Sequence, residues 1–186
     1  MRPATVKVWD PVVRVAHWTL VLSTGAAWLA TLPALAGPLG AWHQALGYAA
    51  LGTVLLRLLW GSAGPAGFAR FASFVRGPRA TWAYLRDLAR GREPRHLGHN
   101  PLGAWMILAL IACIAGLALT GWLYTTDRFW GDATVEAVHL AFAWTLLGLA
   151  LLHVAGVVFT SLRHRENLVW AMWTGKKAAP RDGDIA

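Results

Sequence analysis

Only one cysteine, Cys113, stands among the 186 residues, and it lies inside an apolar run. A single thiol excludes a disulfide within the chain and any metal site built from several thiolates. It reads instead as a small hydrophobe. Charge is scarce too. Charged residues make up 14% of the chain, where a soluble domain carries about 25%. Only nine are acidic, against 17 Lys and Arg. With 56% apolar residues and a mean hydropathy of +0.45, the chain reads as a membrane protein. A net charge of +8 would suit nucleic acid, but the basic residues follow membrane topology, so no nucleic-acid partner is expected. By length, residues 1–186 form one domain.

Tryptophan is abundant. Of the twelve, Trp9, Trp42, Trp60, Trp122 and Trp130 stand at the ends of apolar runs, where interfacial aromatics belong. Four such runs, at about 12–35, 42–60, 102–124 and 135–162, predict an all-α integral membrane four-helix bundle. The first run, with its basic start and Ala34-Leu35-Ala36 before Gly37, also has the outline of a cleavable signal. It is long for one, and the later helices need a matching inward end, so a retained first helix is expected. Pro33, Gly37, Pro38 and Gly40 predict a short uncharged turn after it. Between the second and third runs lies a basic stretch, in which Pro78 to Arg90 reads as an amphipathic helix on the membrane surface. A solvated connector is the competing reading. In the third run Ala112, Gly116 and Thr120, at four-residue spacing, would allow close helix packing. The tail predicts Leu168, Trp170 and Trp173 resting in the interface above Lys176 and Lys177.

Four crossings put both termini and the central loop on one side. Of the 17 Lys and Arg, 16 fall there and only Arg128 falls opposite. The positive-inside rule makes that side the cytoplasm, so a multi-pass membrane protein with lipid around it and both termini inside is expected.

The last run carries His139 and His153, 14 positions apart. In a helix that is ~21 Å along the axis and ~40° around it, so both imidazoles face one way at two depths. Two core histidines bonded to neighbouring helices would be the bland reading. The topology, however, gives each a counterpart: His17 at the inner depth with His153, and His43 at the outer depth with His139. Two imidazoles facing each other across a bundle hold a b-type haem, iron taking one nitrogen above and one below the ring. Zinc would want three or four ligands, and each depth supplies two. Gly47 and Gly156 leave room beside a flat macrocycle. Arg14 and Arg57 fall where propionates of the inner haem would lie, or they snorkel to the surface. His99 and His164 lie in the cytoplasmic region beside Arg163, as candidates for a quinone or proton role.

Several short stretches carry a resemblance. Val6-Lys7-Val8-Trp9-Asp10 leading to Arg14 and His17-Trp18, Trp42-His43 with Gly47-Tyr48, His99-Asn100-Pro101-Leu102-Gly103, and Leu162-Arg163-His164-Arg165-Glu166-Asn167 resemble the bacterial cytochrome b-561 and nickel–iron hydrogenase cytochrome b group. The resemblance covers nearly the whole chain. It implies four membrane helices holding two haem b groups through His17, His43, His139 and His153. It also implies electron transfer between the quinone pool and a periplasmic partner, a cytochrome c or a hydrogenase or dehydrogenase companion subunit. The chain would then be the electron-transfer component of an oxidoreductase. A stand-alone superoxide:quinone oxidoreductase of the same fold is one alternative. A haem-free membrane anchor or metal transporter is another.

Overall fold

The computed structural model describes residues 4–185, and Arg2, part of the polar start, lies outside them. The order is β1 (Thr5–Lys7), α1 (Pro11–Leu29), α2 (Pro33–Leu39), a 3₁₀ turn at Gly40–Trp42, α3 (His43–Ala63), α4 (Phe71–Phe74), α5 (Pro78–Ala89), α6 (Pro101–Tyr124), α7 (Ala133–His164), α8 (Leu168–Thr174) and β2 (Lys176–Ala178). Three stretches among the described residues are long and apolar enough to cross a membrane: Gly40–Ala63, Pro101–Tyr124 and Ala133–His164. Their apolar side chains stand exposed, as at Leu59, Leu140, Leu152 and Leu162. A helix whose large aliphatic residues face outward needs a non-aqueous solvent.

Four expectations are corrected. The first apolar run is not one helix to residue 35. It stops at Leu29 because Leu32, before Pro33, is extended at φ −71°, ψ 134°, as a residue before proline prefers. The expected turn is instead α2, with Pro33 in its first turn. The chain is mostly rather than wholly helical, since β1 pairs antiparallel with β2, Thr5 opposite Ala178 and Lys7 opposite Lys176. Lys177 is not a surface anchor. It is buried, its ammonium donating to the His96 carbonyl at 2.9 Å and facing Glu166 at 3.4 Å. A helix forms over most of the stretch expected at Pro78–Arg90, as α5, with Tyr84 buried and Trp82 exposed.

The chain packs as two compact units, and α1, α3, α6 and α7 each contribute to both. The first unit comprises Met1–Arg14, Leu59–Leu108 and Leu152–Ala186. Its core is Val8, Trp9, Val13, Ala69 and Ala171, with Trp60, Phe68 and Met172 against them. Polar residues start its helices by accepting from orphan N–H groups: Asp10 from Val13 (3.0 Å), Asn100 from Gly103 (2.7 Å) and Asn167 from Trp170 (2.8 Å). Asp10 also accepts from the Trp60 indole at 3.2 Å. Gly175 ends α8 at φ 81°, and an added Cβ would lie 2.6 Å from the Trp9 carbonyl oxygen. Only glycine serves there.

A charged network ties this unit together. The Arg95 guanidinium forks onto Glu166 (2.7 and 3.2 Å), reaches Asp184, and donates to the Ala178 carbonyl at 2.9 Å. Arg163 donates to Glu93 at 2.7 Å and to the Gly91 carbonyl. The Arg163 hydrogen bond holds the Glu93 carboxyl below its ordinary value of 4.5. Burial pushes Glu166 and Asp184 up, but bonds to Arg95 and the N–H groups of Ala178 and Arg181 outweigh it, so both sit low. Burial holds the His96 imidazole below 6.5 despite its bond to Pro94.

Each of these groups has a folded value below its unfolded one. Each therefore adds stability that is complete above the unfolded value and lost as pH falls through the folded one. Acidification acts first on His96, from 6.5 downward, then on the carboxylates, from 4.5 downward. Hydrogen exchange over residues 176–185, corrected for intrinsic rate, should lose some protection in the first range and most in the second. Protection unchanged from neutral pH to well below 4.5 contradicts this.

Candidate functional site

The second unit comprises Val15–Leu58 and Ala109–Leu151, and in it α6 and α7 pack closely. An added Cβ at Gly116 would lie 2.6 Å from the Phe142 ring, so Gly116 of the expected small-residue face is in use, and Thr120 is buried, while Ala112 is exposed. The Cys113 thiol donates to the Phe142 carbonyl at 3.2 Å. That approach brings the α7 imidazole of His139 onto α6.

The same unit brings His43 and His139 together. Their ring centroids lie 6.2 Å apart, with the planes at 66°. His43 Nδ1 is 2.8 Å from the Ala27 carbonyl oxygen. A carbonyl only accepts, so the neutral ring carries its proton on Nδ1 and leaves Nε2 bare. His139 Nδ1 is 2.9 Å from the Thr120 hydroxyl, so this ring too has its Nδ1 engaged. Metal-bound histidines are held in this way, through the nitrogen that does not bind metal.

The spacing tests the fit. Two metal–imidazole bonds of about 2 Å, plus half the width of each ring, come to about 6 Å, in keeping with the observed separation. An added Cβ at Gly47, one turn after His43, would meet nothing within 4 Å, which leaves a planar group room there. Among the described residues no three or more His, Cys, Asp or Glu side chains gather as a metal cage. A pair of imidazoles suits an iron whose other ligands come from a macrocycle.

The other candidates are placed as follows. His17 is half-buried on α1, edge-on to Trp18 at 5.2 Å. His153 is half-buried on α7 in the first unit. Arg57 is 7% exposed, too enclosed for a side chain that snorkels into water. Arg14 donates to the carbonyls of Met172 and Trp173 at the end of α8. His99 packs between Trp9 (4.5 Å) and Phe74 (4.6 Å). It borders a cavity of about 40 Å³ lined also by Phe68, Arg76, His96 and Ile185. That volume suits water rather than an organic ring. His164 is half-buried, and Arg163 is engaged with Glu93.

Sequence reasoning missed Thr120, read only as a small packing residue, and the Ala27 carbonyl. A backbone carbonyl leaves no mark in a sequence. The signal for Thr120 was its place as the polar member of the Gly116 stripe, one turn further on.

No curated protein sequence matches the chain. The family model for prokaryotic cytochrome b561 matches residues 8–175, a range that holds His17, His43, His139 and His153. With nearly its whole length matched, the chain belongs to the prokaryotic cytochrome b561 family, membrane proteins that transfer electrons by way of haem b.

Proposed function

We propose that the chain carries electrons one at a time across a bacterial inner membrane, through two bis-histidine haem b sites, between the quinone pool and a periplasmic redox partner. The observation that carries this reading is the facing pair His43 and His139, 6.2 Å apart with each Nδ1 engaged. When bound, haem supplies reversible one-electron storage, while spacing and potential are the protein's contribution. His43 and His139 hold the outer haem, and His17 and His153 the inner one. Arg57, buried at the inner depth, offers its guanidinium to propionates. Arg14, already bonded to two carbonyls, is the weaker candidate.

The topology has its own support. β1 precedes α1 and β2 follows α7, yet the strands pair. Both ends of the helical region therefore lie on one side, which an even number of crossings requires. Three apolar stretches alone would make an odd number, so α1 is the fourth span. The charge distribution makes the common side the cytoplasm.

Quinone exchanges on the inner side near His99, Arg163 and His164, where basic residues are dense. The partner, a soluble cytochrome or a companion subunit, meets the outer haem. The superoxide-oxidising alternative needs a positive outer approach, and there Arg128 stands with Asp127 and Asp132. Purified membranes should show reduced b-type bands, two haems per chain, and reduction by added quinol. His99→Ala and His164→Ala should slow quinol reduction at least severalfold with haem content intact. A chain without b-type bands would be an anchor or transporter, and quinol reduction unchanged in both variants would remove the inner quinone site.

A further inference from the structure

Thr120 is 7% exposed, in the middle of the α6–α7 contact. Its oxygen lies 2.8 Å from the Gly116 carbonyl, 3.2 Å from the Leu117 carbonyl and 2.9 Å from His139 Nδ1. A hydroxyl has one proton and two lone pairs, and a carbonyl can only accept. If the proton went to His139 Nδ1, the neutral ring would carry its own hydrogen on Nε2 and could not bind iron. If it goes to a carbonyl of the preceding turn, as threonine in a helix commonly arranges, the oxygen is free to accept from His139 Nδ1–H, and Nε2 is bare. The direction of one hydroxyl proton and the ligand role of His139 are thus the same choice.

The ring is also confined from α6. An added Cβ at Gly121 would lie 3.3 Å from His139 Cε1, so a larger residue there would press the imidazole aside by a few tenths of an ångström. The two rings of the pair are held unequally. His43 donates to a carbonyl, whereas in the second arrangement His139 donates to a hydroxyl, a weaker acceptor.

We propose that Thr120 is a positioning residue that fixes the tautomer of His139 and, through that ring, sets the reduction potential of the outer haem. The inference rests on the reading that His43 and His139 hold that haem. An acceptor on Nδ1–H draws the proton outward and makes Nε2 more basic. A more basic ligand favours ferric iron, so removing the acceptor raises the potential.

The test is a redox titration of the purified full-length protein with haem bound, together with haem content by pyridine haemochrome. Thr120→Val keeps shape and volume but loses the acceptor. It should retain both haems and raise the midpoint of one, by several-fold to about tenfold in the reduction equilibrium, tenfold being 59 mV for one electron. The other haem should be unmoved. Thr120→Ser should restore the wild-type value, which a purely structural role for the methyl group would not do. Thr120→Ala should repeat the upward shift, and serves if the valine variant binds no haem. An unchanged potential overturns the proposal. So does a downward shift, which would mean the ring had turned to the Leu117 carbonyl, the other acceptor in reach. His139→Ala separates the two failures. If it keeps both haems, the ligand reading is wrong; if it loses one while Thr120→Val leaves both potentials unmoved, only the role of Thr120 is.

Discussion

With two haems bound as proposed, alanine at His139 should leave one, and alanine at His43 should remove the same one. The two rings face each other at 6.2 Å, so either substitution would remove one of the two imidazoles that would hold the same haem. The remaining imidazole keeps its Nδ1 bond, to Ala27 or to Thr120, but one ligand holds a buried haem poorly. His17→Ala and His153→Ala should remove the other haem. His139 and His153 are ~21 Å apart along α7, too far for one macrocycle to answer to both. Haem stoichiometry by pyridine haemochrome, with a redox titration of each variant, should sort the four substitutions into two matched classes. If His17→Ala and His43→Ala abolished the same spectral component, the pairing and the topology would both fall.

The second large effect is expected at Arg95. Its guanidinium and the carboxylates of Glu166 and Asp184 have side chains only 5–7% exposed. Removing one partner of a buried pair leaves the others charged and dry, at a cost of about 3–5 kcal/mol. Arg95→Met strands Asp184 and leaves Glu166 with Lys177 as its ion-pair partner, at 3.4 Å, so its cost should fall within that range. Arg95→Lys keeps the charge but not the fork that meets both Glu166 oxygens, and should fall between. Adding Asp184→Asn to Arg95→Met should recover part of the loss, because Glu166 keeps Lys177 as its partner and position 184 no longer carries an unpaired charge. Tryptophan fluorescence reads the effect directly, since Trp9 and Trp60 lie in the core of that unit. An Arg95→Met protein that melts with the wild type would show the network to be solvated.

How much of this was legible in the sequence differs from element to element. The apolar runs behind α3, α6 and α7 announced themselves, because a membrane helix carries no polar face to confuse the pattern. The end of α1 did not, since the apolar run continues beyond Leu29 and only the backbone of Leu32 breaks the helix. His43 and His139 could be matched by depth, because helical rise converts sequence position into distance. Thr120 could not, because its role depends on how closely the neighbouring helix approaches at Gly116. The Arg95 network was invisible for a related reason. Its members, Glu93 with Arg163 and Arg95 with Glu166 and Asp184, lie far apart in the sequence and are joined only in the folded chain. Asn100 and Asn167, noticed only as parts of short motifs, prove to be helix caps.

The pairing of Thr5 with Ala178 bears on how the protein is made. Nearly the whole chain separates the two strands, so β1 leaves the ribosome long before β2 and α8 exist. The closure entropy of so long a loop must be met before any contact rewards it. The membrane helices, each with its hydrogen bonds inside itself, insert without waiting. Assembly of the end that holds both strands is therefore the last act of biogenesis, and Trp9 stays uncovered until Ala171 arrives. A ribosome stalled before Ala171 should display a nascent chain whose transmembrane helices are inserted while its first ten residues remain open to protease.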